Sequence, residues 1–109
     1  MKKILVVLIV SILFGASDIA AYNKRHWELL RRTKCCQTCQ LREAPLSRID
    51  LTEADMREAD LRGADFRQAT LYKAVLPKPE MYHGANFTGA MWVDGRICKK
   101  GSISHCKSE

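Results

Sequence analysis

The chain has no glycine-rich phosphate loop and no CxxCH, which excludes phosphate cradling by that route and covalent haem at that spacing. Its three histidines, His26, His83 and His105, have no nucleophile and carboxylate at a recognisable motif spacing. No catalytic residue is therefore assigned. "CCQTCQ" contains a CxxC, but nothing around it supplies the βαβ setting that lowers a thiol pKa in thiol oxidoreductases. Zinc needs four converging ligands, and Cys98, His105 and Cys106 offer three. No metal and no cofactor is expected. Acidic residues are also in the minority, 12 against 18 Lys and Arg, for a net charge of +6. The balance admits an anionic partner, although a solvated basic surface is the plainer reading.

At 109 residues, 47% hydrophobic and 28% charged, the chain is one domain at most. Residues 1–21 read as a secretory signal peptide. A basic "MKK" precedes the apolar "ILVVLIVSILF", and small residues follow, with cleavage after Ala21. The apolar run is short for a membrane span, and Asp18 interrupts its extension. No cysteine follows it, so a lipid-anchor signal is absent. A periplasmic or secreted location is expected, with an uncleaved inner-membrane anchor as the alternative. Export permits disulfides, and there are five cysteines to form them.

Residues 22–35 form a basic cap segment. Trp27, Leu30 and Leu29 would share one side of a short helix with no capping signal. From Cys39 onward the sequence keeps a beat of five. Large apolar residues stand at Leu41, Leu46, Leu51, Met56, Leu61, Phe66, Leu71 and Leu76. Two positions before each is a small or apolar residue: Cys39, Ala44, Ile49, Ala54, Ala59, Ala64, Ala69, Ala74. "PKPEMYHG" disturbs the pattern. Met81 keeps the count there, and one extra residue enters before Ala85. The beat resumes at Phe87, Trp92 and Ile97.

Two inward positions in every five require a corner every five residues, and four corners close a square coil of twenty. Coils stacked at about 4.8 Å then align positions twenty apart. The columns are chemically uniform: Leu41, Leu61, Met81; Leu46, Phe66, Phe87; Leu51, Leu71, Trp92; Met56, Leu76, Ile97. Outside, Glu53 would neighbour Lys73, and Glu58 would neighbour Lys78, on adjacent coils. The aspartate after each alanine, as at Asp55, Asp60 and Asp65, would accept backbone hydrogen bonds at a corner.

The blocks "ADMRE", "ADLRG", "ADFRQ" and "ANFTG" resemble the A(D/N)LXX motif of the pentapeptide-repeat family, over roughly residues 36–98. The ending "GAMWVDGRICKKGSISHC" also looks like that of small exported bacterial members. The resemblance implies an all-β fold, a right-handed quadrilateral β-helix of about three coils. Some family members inhibit DNA gyrase by mimicking DNA. That role needs an acidic rod in the cytoplasm, so for this basic chain no nucleic-acid partner is expected.

Three coils separate Cys35, Cys36 and Cys39 from Cys98 and Cys106, so bridges should be local. Cys98 with Cys106 would close the tail at 99–109. Cys36 and Cys39 would bridge or stay reduced in the core, and Cys35 would pair with Cys39 or a second molecule. The most individual surface lies at Tyr72, Lys73, Lys78, Tyr82 and His83, with Arg42, Arg62 and Tyr82 in one outer column. A bulged corner is the plainer reading of it, and a recognition loop the functional one. The expected role is non-enzymatic. It is a rigid binding or scaffolding module of the cell envelope, acting on an envelope protein or an anionic envelope polymer. A basic-surface binder of membrane or cell wall through Lys24, Arg25, Arg31 and Arg32 is the rival. Exposed coil ends admit a homodimer near Trp92 to Ile97.

Overall fold

The computed structural model describes residues 22–108, so the signal-peptide reading of residues 1–21 lies outside it. The chain enters through helix α1, Lys24–Thr33. Asn23 caps it, its side-chain oxygen accepting from the N–H groups of Arg25 (2.9 Å) and His26 (3.3 Å). Asparagine is among the strongest N-cap residues, so the expectation of an uncapped helix is corrected. Lys34, in the left-handed conformation (φ 57°), ends α1 by donating its N–H to Leu30 O.

Beyond α1 the chain winds in four-sided coils. Isolated parallel bridges pair Gln40 with Asp60, Pro45 with Asp65, Asp50 with Thr70, and Asp55 with Val75, each at an offset of twenty. At most corners the N–H three residues after a centre residue returns to that residue's carbonyl, as from Ala44 to Leu41 (3.1 Å) and from Ala64 to Leu61 (3.0 Å). The residue before that N–H takes φ between 58° and 61° at Thr38, Glu43, Arg48, Glu53, Glu58, Gln68 and Lys73. Positive φ at the third position is the mark of a type II turn. For a residue with a Cβ it costs about 1–2 kcal/mol. Part of this is offset because the same residue's N–H bonds to the next coil, as from Glu43 to Arg62 O and from Gln68 to Thr88 O, both 2.9 Å.

The all-β class is overturned. Among the described residues there is one α-helix, a 3₁₀ turn at Pro79–Tyr82 and no β-strand. The reason is the five-residue period itself. A turn on every face leaves one bridged residue between corners, so no run of paired residues long enough to be a strand develops. The coils are held by a ladder broken at each corner.

The interior is as narrow as the alanines require. Leu41, Leu46, Leu51, Met56, Leu61, Phe66, Leu71 and Phe87 are fully buried, with Ala44, Ala54, Ala59 and Ala64 beside them. Phe66 and Phe87 stack from successive coils with ring centroids 5.2 Å apart. Burying a side chain of this size contributes roughly 1.5–3 kcal/mol.

Four expectations change beyond Leu71. Leu76 is only half-buried, because the chain there leaves the four-sided path for the 3₁₀ turn. The extra residue sits before Tyr82, not between Met81 and Ala85. Ala85 N–H closes its turn on Tyr82 O, and Leu61 N–H reaches Met81 O. Tyr82 therefore takes the centre position, half-buried, with its ring edge-on to Phe87 and Trp92. His83 takes its place in the outer column, its carbonyl accepting from Gly63. The offset becomes twenty-one, as at Asp65 with Asn86 and Thr70 with Met91. Trp92 is half-buried at the end of its column. Ile97 is 57% exposed, because the chain reverses at Gly95 and Ile97 pairs antiparallel with Met91. Cys98 takes the buried place instead.

Both ends of the stack are covered. At the first coil, Asn23 N–H donates to Gln40 O (2.8 Å), Gln40 N–H to His26 Nδ1 (2.9 Å), and Trp27 Nε1–H to Pro45 O (2.9 Å). At the last, Phe87 N–H donates to Ser102 O (2.7 Å), Gly89 N–H to Cys98 O (2.8 Å), and Ser104 N–H to Ala85 O (2.8 Å). These caps consume the backbone groups that an open coil would present to another chain.

Candidate binding surface

Each face of a coil carries its outward side chains on the residue just before the centre and the two just after it. In the second coil an aspartate precedes and an arginine follows the centre on three consecutive faces. In each, arginine Nε and Nη2 fork the carboxylate, at 2.9 and 2.8 Å for Arg57 on Asp55 and 2.9 and 2.7 Å for Arg62 on Asp60. Arg67 on Asp65 repeats the geometry at 2.9 and 2.8 Å. The arginine's own N–H also reaches the aspartate, at 3.1–3.2 Å, giving the corner its Asx turn. The guanidinium forks hold all three carboxyls below the usual aspartate range, most strongly by the side-chain hydrogen bond, and raise the arginines in return.

These pairs are the ones the coils use. The cross-coil pairs Glu53–Lys73 and Glu58–Lys78 do not form; Lys73 lies over the Tyr72 ring instead, 5.3 Å from its centroid. A side chain two residues along the same chain is closer to hand than one across the ladder. Such exposed pairs are worth about 0–1 kcal/mol each.

The surface residues expected from sequence do not form one patch. Arg42, Arg62 and His83 share an outer column. Tyr72 and Lys73 lie on another face, where Lys73 N–H donates to Val93 O. Lys78 is exposed just before the 3₁₀ turn. Tyr82 is turned inward, and burial pushes its hydroxyl above the usual tyrosine pKa. The basic side chains of α1 stay outside the coil stack, with Lys24, Arg25, Arg31 and Arg32 exposed.

Sequence reasoning missed a groove of about 350 Å³ lined by Ser47, Arg48, Arg67, Gln68 and Thr88. It lies on the neighbouring face to Arg42 and Arg62. Arg48 Nε donates to Gln68 Oε1 across the coils at 2.9 Å. The available signal was the column Ser47, Arg67, Thr88, which the register aligns at offsets of twenty and twenty-one.

Cysteine chemistry sits at the two ends. Cys36 is bridged to Cys39, Cys98 is bridged to Cys106, and Cys35 is free and exposed. With Cys98 and Cys106 joined, His105 has no thiolate beside it. No cluster of three metal-ligating side chains occurs among the described residues. No helix among them is long and apolar enough to cross a membrane.

No curated protein and no solved structure matches the chain. The family described as pentapeptide repeats matches residues 36–76 in eight copies, the stretch in which alanine column, centre column and corner turn recur without interruption. Over residues 36–76, then, the chain is built of pentapeptide repeats.

Proposed function

We propose that this protein is an exported, non-enzymatic binding or scaffolding module of the cell envelope. The observation that carries the reading is the capped stack. Backbone ladders fix columns of outward side chains at coil spacing, and α1 and the tail occupy the ends. Such a body recognises a partner through its sides, by shape and fixed charge, with little to order on binding. The two disulfides favour an oxidising compartment, which agrees with the apolar leader of the sequence. The partner is an envelope protein or an anionic envelope polymer.

The test is fractionation with intact mass, alkylated without reductant, followed by sedimentation of the recovered protein with cell-wall sacculi and envelope extract. A chain beginning at Tyr22 with two disulfides and salt-resistant retention supports the reading. A full-length chain with five free thiols, retained by neither, overturns it.

A further inference from the structure

The four faces are not equivalent. On the face centred on Leu46, Phe66 and Phe87, bridges join Pro45 to Asp65 and Asp65 to Asn86, so Ser47, Arg67 and Thr88 stand one above another. Beside them run Arg48 and Gln68. Together these five enclose the groove of about 350 Å³, and none of them is acidic, aromatic or aliphatic. Among the described residues, no carboxylate lies within ion-pair reach of Arg48. Its one contact is Nε on Gln68, which leaves both terminal amino groups uncommitted. Arg67 is held by Asp65 through Nε and Nη2, so its Nη1 edge is uncommitted. The coil thus fixes one guanidinium as a strut and leaves its neighbour a charge without a counter-charge.

We propose that this groove binds an oxyanion carried on a hydroxylated chain, a phosphorylated or carboxylated polyol or glycan. A guanidinium offers paired donors that match phosphate and carboxylate oxygens. Ser47 and Thr88 supply hydroxyls that donate or accept, and Gln68 supplies an amide donor, which suits flanking sugar or polyol hydroxyls. The absence of an aromatic platform counts against a stacked base or a neutral sugar face, and the absence of aliphatic lining against an acyl chain. Successive coils repeat the donors at about 4.8 Å, comparable to the length of a sugar unit. Arg42, also exposed, lies on the next face and does not line this groove. The inference rests on the binding-module reading and names its site.

The experiment is calorimetric titration of the disulfide-bonded protein with poly(glycerol phosphate) and with oligogalacturonate, dextran serving as the neutral control. One of the charged polymers should bind at physiological salt and dextran should not. The two arms decide between phosphate and carboxylate as the oxyanion. Arg48→Gln should weaken binding about tenfold, Thr88→Ala about twofold to threefold, and Arg42→Gln less than about twofold. Thermal unfolding of the two arginine variants should match the parent, since both side chains are exposed, and that of Thr88→Ala, at a half-buried residue, should shift only slightly. Binding of neither polymer overturns the proposal, as does equal weakening by Arg42→Gln and Arg48→Gln, which would mark bulk charge. If the parent and Arg48→Gln proteins sediment equally with sacculi, the groove is wrong and the binding-module reading stands. If the parent neither sediments nor captures an envelope protein, both fall.

Discussion

Residues 36–76 and residues 77–104 build the same stack by different means. In the first stretch one rule is applied repeatedly: a small residue, a polar residue, a large apolar residue, and a two-residue corner. In the second the rule fails at Pro79, at the inserted residue and at Gly95. The stack survives because a 3₁₀ turn, a one-residue shift of register and a returning tail replace the missing elements. Both stretches share the buried column and the backbone ladder, but only the irregular one is closed by a returning tail and the Cys98–Cys106 disulfide. Substitutions of the same kind should therefore cost different amounts in the two.

The largest contrast should come from core truncation. Phe66→Ala removes a fully buried ring and its stacking partner contact, and should cost about 3–5 kcal/mol in urea unfolding. Ile97→Ala, at the position the five-beat assigned to the same interior, should stay within about 0.5 kcal/mol. Next is the tail. Replacing Cys98 and Cys106 by serine should lower stability by about 2–3 kcal/mol. Hydrogen exchange should then quicken at Phe87 and Gly89, and remain slow at Leu46 and Leu51. A uniform rise in exchange would show that the coils open together.

Overpacking should also distinguish the two stretches. Ala59→Leu forces extra methylenes into a buried site and should cost about 1–3 kcal/mol. Pro79→Leu, in the 3₁₀ turn of the next coil, is exposed and should change the unfolding midpoint little. The smallest effect is with pH. Asp55, Asp60 and Asp65 have folded pKa values below their unfolded ones, so their contribution is present above pH about 4 and is lost as pH falls through the folded values. The urea midpoint should be level near neutrality and decline modestly below pH about 4. High salt should blunt the decline, and Asp65→Asn should reduce it.

The interior of residues 39–71 was legible because period and polarity agree at every repeat. The class of the fold was not. Side-chain periodicity reports which residues face inward, but it does not report that one bridged residue per face is too few to make a strand. The slip at Tyr82 has a similar origin. Met81 and Tyr82 are both large and adjacent to the insertion, so either keeps the count. Gly84 directly before Ala85 was the available cue, matching Gly63 before Ala64 and Gly89 before Ala90, all at positive φ. Ile97 kept the beat and still turned outward, because spacing does not record a reversal of chain direction. The groove at Arg48 was within reach of the register, since its lining residues lie twenty and twenty-one positions apart. A polar column of ordinary repeats carries no compositional mark of a groove, whereas the prolines and inserted residue of the neighbouring loop do.

The two caps touch different coils: α1 and Asn23 bond only to the first, and the tail only to the last. Among the described residues, the backbone of the middle coil bonds to the coils on either side of it. A twenty-residue block could be spliced in or removed between them without altering either closure, changing the height by about 4.8 Å each time. The architecture is therefore a ruler with fixed end-stops. Natural variation in its length should come in whole graduations, and fractional ones should be confined to bulges of the kind at Pro79.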